Sequence, residues 1–137
     1  MIIVLINWRI KPDKVGDFMT WWTSKEADIK QRGRLVGEFL SKPLALEELK
    51  NKTPGKEYPF RVCDLAPGSC DEPYIPFVNV GLWESWEAFY REVGRNFNDA
   101  GEKKPFEQYR RTRTIVEPQN WRIGNYDLPD DDKLGGV

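Results

Sequence analysis

Residues 77–83 divide into two alternating sets of side chains with the two-residue period of a strand, and the apolar residues 2–10 predict a first strand. In both stretches the two alternating sets of positions are largely apolar, which is typical of strands in a sheet that is covered on both sides. The exceptions are Asn7 and Asn79, because asparagine is unusual in strands. Further strand material is predicted over residues 35–42, 112–118 and 120–126.

Two other stretches repeat their apolar residues at helical spacing and predict amphipathic helices. The first begins after Asp13, a predicted N-cap, and ends near Gly33. The second covers residues 85–97, where Ser85 is the predicted N-cap. Residues 104–111 predict one or two further helical turns. The apolar positions that set the two spacings are Val15, Phe18, Met19 and Trp22 in the first helix and Trp86, Phe89, Tyr90, Val93 and Phe97 in the second.

The order strand, helix, strand occurs twice, which predicts a ferredoxin-like α+β fold with an antiparallel sheet and both helices on one face. Both halves belong to a single predicted domain, residues 1–126, and an insertion at residues 43–73 lies between the second and third strands. The insertion contains a short helical piece near Leu46, and it is either a lid over a pocket or a plain surface insertion. The acidic, glycine-rich residues 127–137 are predicted to form a flexible tail.

Two helices can cover only one face of such a sheet, although both faces of the first and third predicted strands are apolar. An apolar sheet face left in water would exceed the apolar patch that soluble monomers usually expose. A second copy of the chain is the simplest cover for that face. The pattern therefore predicts a homodimer.

The composition narrows the classes of function. The 137 residues carry 21 lysines and arginines against 22 acidic residues, so no overall charge attracts nucleic acid or an anionic membrane. No apolar run is long enough to span a bilayer, and without a secretory signal the expected location is the cytoplasm. Cys63 and Cys70 are then expected to be reduced thiols, with a local disulfide as the alternative. The absence of histidine excludes serine–histidine and cysteine–histidine pairs, histidine-ligated haem and most catalytic zinc sites.

The stretch FVNVGLWESWEAFYREV at residues 77–93 and the turn RIKPDKVGDF at residues 9–18 resemble a known family. They are similar to the dimeric α+β barrel superfamily, and in particular to its antibiotic biosynthesis monooxygenase-like group. A strand that ends in a tryptophan, a short W-x-S corner and an "AF" helix carry the likeness, which covers residues 1–42 and 74–126. In this chain the corresponding residues are Trp83, Ser85, Ala88 and Phe89.

The resemblance implies a homodimer whose two sheets face each other as a barrel, with a small pocket between each sheet and its helices. It also implies that Asn7 points into that pocket. The haem-degrading members of the superfamily need a histidine ligand, which this chain lacks, so that function is set aside.

The resemblance further implies a monooxygenase-like enzyme that acts on an aromatic or polyketide-like substrate without a tightly bound cofactor. In such a reaction the protein supplies desolvation and a few oriented donors beside an aromatic wall. No metal site is predicted, and a flavin or another bound aromatic molecule stays open as an alternative. The predicted substrate-binding residues are Asn7, Arg9, Asn79, Trp83, Trp86 and Tyr90.

Packing is the alternative explanation for several of these residues, since Trp86 lies on the same predicted buried stripe as Phe89. The two asparagines are more informative, because burying an amide without partners costs about 1–3 kcal/mol. If their faces meet the same space, Asn7 and Asn79 converge on one aromatic pocket; otherwise each bonds nearby backbone at a bulge or edge. Two other functions stay open: a non-catalytic dimeric ligand-binding or stress-related protein, and an isomerase or lyase on the same scaffold.

Overall fold

Four strands form a single antiparallel sheet, in which the spatial order is second, third, first and fourth along the chain. The computed structural model describes residues 1–24, 34–55, 71–94, 101, 103–120 and 122. The strand order and the two strand–helix–strand halves are those of the ferredoxin-like α+β fold, which confirms the predicted fold class. Along the chain the elements are β1 (Ile2–Ile10), α1 (Val15–Thr23), β2 (Leu35–Ser41), α2 (Leu46–Lys52), β3 (Ile75–Trp83), α3 (Trp86–Glu92) and β4 (Glu107–Val116).

The central strands β1 and β3 pair without a break from Ile2 opposite Trp83 to Ile10 opposite Ile75. Burial alternates along both strands, so the sheet has two distinct faces. The first, which we name the covered face, holds the buried members of the alternation: Ile2, Val4, Ile6, Trp8 and Ile10 from β1, with Phe77, Asn79, Gly81 and Trp83 from β3.

Both helices of the split βαβ arrangement pack on the covered face. From α1 the buried Phe18 ring lies 5.2 Å from the Trp8 ring, measured between centroids. From α3 the Phe89 ring lies 5.6 Å from the Trp83 ring. These contacts close the apolar core on that side of the sheet.

The opposite face, which we name the open face, is apolar as well, and α1 and α3 lie on the other side of the sheet. Its side chains are partly exposed rather than buried. Its apolar members include Ile3 and Leu5 of β1, Phe39 of β2, and Val78, Val80 and Leu82 of β3.

The two outer strands are less regular than the central pair. The pairing of β4 with β1 shifts register on both sides of Arg9, and the pairing of β2 with β3 shifts between Leu35 and Gly37. Because of the shifts in β4, Tyr109 pairs with Arg9 on the open face while Glu107 pairs with Ile10 on the covered face.

The first helix differs from its prediction at both ends. Asp13 lies in a 3₁₀ turn over Pro12–Lys14, and Lys14 occupies the N-cap of α1 without a side-chain cap bond, so the predicted Asp13 cap is wrong. The helix ends at Thr23 because Ser24 adopts an extended backbone, with its hydroxyl donating to the Trp21 carbonyl at 2.6 Å. The rest of the predicted helix, up to Gly33, lies outside the described residues.

The second half of the chain confirms one helix signal and overturns another. The Ser85 hydroxyl accepts a 3.1 Å hydrogen bond from the Ala88 amide, which confirms the predicted N-cap, and α3 ends at Glu92. The predicted helical turns at residues 104–111 are wrong, because Glu107–Val116 is strand β4. Its pairing with β1 satisfies the backbone, and this long-range partner decides the conformation against local periodicity.

Other predictions meet the structure only in part. The short helical piece near Leu46 is confirmed as α2. Within the described part of the chain no helix has the length and apolar character needed to cross a bilayer. The cytoplasmic location stays a prediction. Cys63, Cys70, the tail at residues 127–137 and nearly all of the predicted strand at residues 120–126 lie outside the described residues.

Candidate functional site

The six predicted binding residues fall into three pairs that lie in different places. Asn7 and Arg9 stand on the open face, and Asn79 and Trp83 stand on the covered face. Trp86 and Tyr90 stand on the outer side of α3, where they are 45% and 53% exposed. The structure therefore separates the groups that the sequence placed in one pocket.

The two asparagines do not converge. Asn7 pairs with Val78, and its neighbour Ile6 pairs with Asn79, so the antiparallel register puts the two amides on opposite faces of the sheet. Asn7 makes only a long contact on the open face, from Nδ2 to the Thr112 hydroxyl at 3.5 Å. The predicted convergence of the two amides on one aromatic pocket is wrong, and of the two only Asn79 lies beneath the helices.

Asn79 is the centre of a buried polar network that joins three elements. The Trp22 indole nitrogen on α1 donates to Asn79 Oδ1 at 2.9 Å, and Asn79 Nδ2 donates to Glu38 Oε1 on β2 at 2.6 Å. Asn79 itself is only 2% exposed. We name these three residues the Asn79 network.

The partners of Asn79 fix the orientation of its amide. An indole N–H can only donate and a carboxylate oxygen accepts, so Oδ1 must face Trp22 and Nδ2 must face Glu38. The hydrogen bonds run in one direction, from indole to amide to carboxylate. The network therefore holds the amide rigidly in an apolar surrounding, where such bonds are stronger than in water.

A second polar group lies in the same cross-strand row as Asn79. On β1, Ile6 pairs with Asn79 on one side and with Arg113 of β4 on the other, so all three side chains belong to the covered face. The Nε and Nη2 atoms of Arg113 are buried. Strands are spaced about 4.8 Å apart, so the amide and the guanidinium rise from backbones about 10 Å apart, with Ile6 as the floor between them.

Sequence reasoning missed three residues of this site: Trp22, Glu38 and Arg113. Trp22 was assigned to packing, and it both packs against the core and donates to Asn79. Arg113 was predicted only as part of the strand at residues 112–118, with no face assigned to it. Arg113 pairs with Ile6 in the regular part of the β1–β4 ladder, and this long-range register, which local periodicity cannot supply, puts it on the covered face.

Trp83 lies at the other end of the same face and is 2% exposed. Gly81 separates it from Asn79 along β3, and a Cβ built on Gly81 would meet the Trp83 indole nitrogen at 3.3 Å. The missing side chain thus leaves room for the ring to lie over the strand. Gly81 also pairs with Glu38, so the indole nitrogen, the carboxylate and the Asn79 amide occupy adjacent positions.

The open-face pair belongs to a separate polar corner. The Arg9 guanidinium lies 5.2 Å from the centre of the Tyr109 ring and donates to the Arg110 carbonyl. The Tyr109 hydroxyl accepts from the Glu72 amide at 2.9 Å, and the Tyr74 ring meets Tyr109 edge-on. This corner fastens the segment before β3 to β4.

The outer pair on α3 corrects a packing prediction. Phe89 and Val93 are buried as expected, each 3% exposed, but Trp86 is not. The helix is short and begins at Trp86 itself, so this side chain lies at the end of the apolar stripe and faces outward. Its ring stacks on that of Tyr90 with centroids 5.9 Å apart.

A buried ion pair lies at the far end of the covered face. Arg111 Nη1 and Glu107 Oε1 are 2.5 Å apart, with side chains 5% and 0% exposed. The Glu107 carboxylate also accepts from the backbone amides of Arg111 at 3.0 Å and Lys104 at 3.2 Å. The guanidinium lies 5.4 Å from the centre of the Trp8 ring. These residues lie in the stretch 104–111 that the sequence predicted as helical turns, and the structure has them in strand β4 instead.

Across the described residues, no cluster of three or more aspartate, glutamate or cysteine side chains could hold a metal ion. No protein-family model matches the chain. A search of curated proteins finds no match either.

Proposed function

We propose that the protein is a small monooxygenase-like enzyme that acts on a hydroxylated aromatic or polyketide-like substrate without a tightly bound cofactor. The observation that carries this proposal is the Asn79 network, an oriented amide buried beneath the helices and flanked by a carboxylate and two indoles. The likeness of residues 77–93 to the antibiotic biosynthesis monooxygenase-like group supports the same function.

The chemistry requires no external reductant. A ring CH₂ group beside a carbonyl enolises and loses a proton, and its anion passes electrons to O₂. One oxygen atom stays on the carbon as a new carbonyl, and the other leaves as water with the two hydrogen atoms. The carbon loses four electrons and O₂ gains four, so the reaction balances.

The covered face supplies groups suited to each part of this reaction. The Arg113 guanidinium stabilises the substrate anion, because a fixed charge in a water-poor site acts strongly on developing charge. Glu38 is the carboxylate that accepts the substrate proton, and Asn79 holds it in place with a 2.6 Å hydrogen bond. Trp83 adds an apolar ring beside Gly81 on the same face.

The second part of the proposal is a homodimer that forms through the open face. The apolar side chains of β1, β2 and β3 on this face are partly exposed, and α1 and α3 pack on the opposite face. A second copy would bury this surface sheet against sheet and produce the barrel that the resemblance implies. Val80→Lys at its centre should convert the dimer to a monomer in analytical ultracentrifugation. Leu46→Lys on α2, 37% exposed, is the control that should leave the dimer intact.

The two strand asparagines offer a matched test of the activity. Oxygen uptake would be measured with a panel of anthrones and naphthols for the wild type, Asn79→Ala and Asn7→Ala. We expect uptake to fall strongly in Asn79→Ala and to remain near the wild-type rate in Asn7→Ala, because only Asn79 lies on the covered face. Equal rates in all three proteins would contradict this site, and absence of uptake with every substrate would contradict the oxygenase function.

One observation favours a second candidate, a non-catalytic dimeric ligand-binding protein. Asn79 already uses its oxygen and an N–H inside the protein, so this amide is satisfied without any ligand. Calorimetric titration with the same aromatic compounds separates the two candidates. Binding without oxygen consumption supports the ligand-binding function, whereas binding with turnover supports the enzyme.

A further inference from the structure

Four aromatic rings form a continuous chain from the buried end of β3 to the surface of α3. The Trp83 ring lies 5.6 Å from Phe89, Phe89 lies 5.8 Å from Trp86, and Trp86 lies 5.9 Å from Tyr90. Exposure rises along the chain, from 2% and 3% at Trp83 and Phe89 to 45% and 53% at Trp86 and Tyr90. One end therefore touches the core and the other end touches solvent.

Packing explains the inner half of this chain better than the outer half. Trp83 and Phe89 fill the core, and their edge-on geometry is one that aromatic pairs prefer. Trp86 and Tyr90 are stacked one helical turn apart with about half of each side chain in water. Tryptophan and tyrosine are also much easier to oxidise by one electron than phenylalanine, because their rings carry electron-donating nitrogen or oxygen.

We propose that Trp83, Trp86 and Tyr90 form an electron-transfer path that returns an electron from the protein surface to an oxidised Trp83. Trp83 and Trp86 both contact the Phe89 ring, so the electron crosses a single intervening ring. The path has its inner end beside Gly81 and the Asn79 network. The electron-transfer path rests on the proposed function only for its oxidant, which is an oxygen-derived radical that escapes the proposed reaction.

The electrons and protons balance along the path. The radical takes one electron from Trp83 and leaves an indole radical cation. Trp86 reduces Trp83, Tyr90 then reduces Trp86, and the Tyr90 phenol releases its proton to water. A soluble enediol such as ascorbate gives one hydrogen atom to the tyrosyl radical and restores the protein. The net result is reduction of the oxygen radical by the enediol, with the core tryptophan spared.

A tethered photo-oxidant tests the path without any substrate. Val36 is 57% exposed and follows Leu35, which pairs with Trp83, so a label there sits near the inner end. A ruthenium polypyridyl complex would be attached to Val36→Cys after Cys63→Ser and Cys70→Ser. Flash oxidation with a sacrificial quencher, followed by rapid freezing, would give the tyrosyl radical yield by electron paramagnetic resonance.

We expect a tyrosyl signal that is lost in Tyr90→Phe and falls severalfold in Trp86→Phe. Both side chains are about half exposed, so these variants should fold normally. Trp83→Phe should also lower the yield, and Tyr109→Phe on the open face is the matched control that should not. A full signal in Tyr90→Phe, or an undiminished yield in Trp86→Phe, would overturn the path. Because the oxidant is supplied by light, this result is independent of whether the oxygen-uptake screen succeeds.

Discussion

Two polar clusters lie on the covered face, and they are built in different ways. The Glu107–Arg111 pair joins two residues of one strand, and backbone amides of the same segment complete its hydrogen bonds. The Asn79 network instead joins α1, β2 and β3 through a single amide. The first cluster is assembled once β4 is in place, whereas the second requires that a helix and two strands take their final positions together.

The two clusters are expected to contribute differently: the ion pair mainly affects stability, and the Asn79 network mainly positions other side chains. A buried ion pair contributes little net stability but is costly to break, because a lone charge cannot remain buried without a partner. An oriented amide network contributes less to stability when it is lost, yet it fixes the places of groups that face a site. We therefore expect the largest stability effects at Glu107 and Arg111, and the largest functional effects at Asn79.

Glu107→Gln should have the largest effect of the variants considered. It leaves the Arg111 charge buried without its counter-ion, and we expect a loss of about 3–5 kcal/mol in the free energy of unfolding, measured in urea. The double variant Glu107→Gln, Arg111→Met should recover most of that loss, because it removes the unpaired charge while the glutamine oxygen can still accept from the backbone amides of Lys104 and Arg111. A loss of unfolding free energy as small as that from breaking a surface ion pair would contradict the difference between the two clusters.

Asn79→Leu should come next. It removes the Asn79 partner of both the Trp22 indole and the Glu38 carboxylate, at a cost of about 1–3 kcal/mol for the indole left without an acceptor. Thermal unfolding measures the change, with Asn7→Leu as the control. Asn7 makes only one long contact on the open face, so its variant should change stability little if dimer formation is held constant.

Trp22→Phe should cost less than Asn79→Leu, because it breaks only one bond of the network. We expect a loss of about 1–3 kcal/mol for the buried Asn79 oxygen left without its donor. The two changes should be strongly non-additive, with a coupling energy of about 0.5–3 kcal/mol in a double-mutant cycle. Additive losses would mean that the indole contributes through packing alone.

Ser85→Ala should give the smallest effect and lies outside both clusters. It removes the hydroxyl that caps α3 by accepting from the Ala88 amide. We expect the free energy of unfolding in urea to fall by about 1 kcal/mol. The loss should add to that of Glu107→Gln and to that of Asn79→Leu. Coupling to one of them alone would show that α3 belongs to that cluster.

The sequence predicted the fold because its signals were local and consistent. The two-residue period of a strand predicted which side chains of β1 and β3 share a face, and Ser85 predicted the start of α3. It could not predict the pairing register, which places Asn7 and Asn79 on opposite faces. A shift of one residue would have reversed that arrangement without changing any local pattern.

The candidate site was predicted only in part, for a related reason. Of the six predicted binding residues, Asn79 and Trp83 lie on the covered face, where Glu38, Trp22 and Arg113 join them from other elements. Charged side chains in a sequence are normally solvated, so nothing local distinguishes Arg113 from a surface arginine. Its burial follows from the register of β4, a long-range property.

The irregular pairing of the outer strands has a consequence for solubility at high concentration. The central β1–β3 ladder is unbroken, whereas β2 and β4, the strands at the two edges of the sheet, each carry a register shift. A straight edge offers a row of free amides and carbonyls on which foreign strands can grow into fibrils, and a bulge interrupts that row. The bulges at both edges of the sheet therefore discourage strand addition, although the apolar open face lies between them.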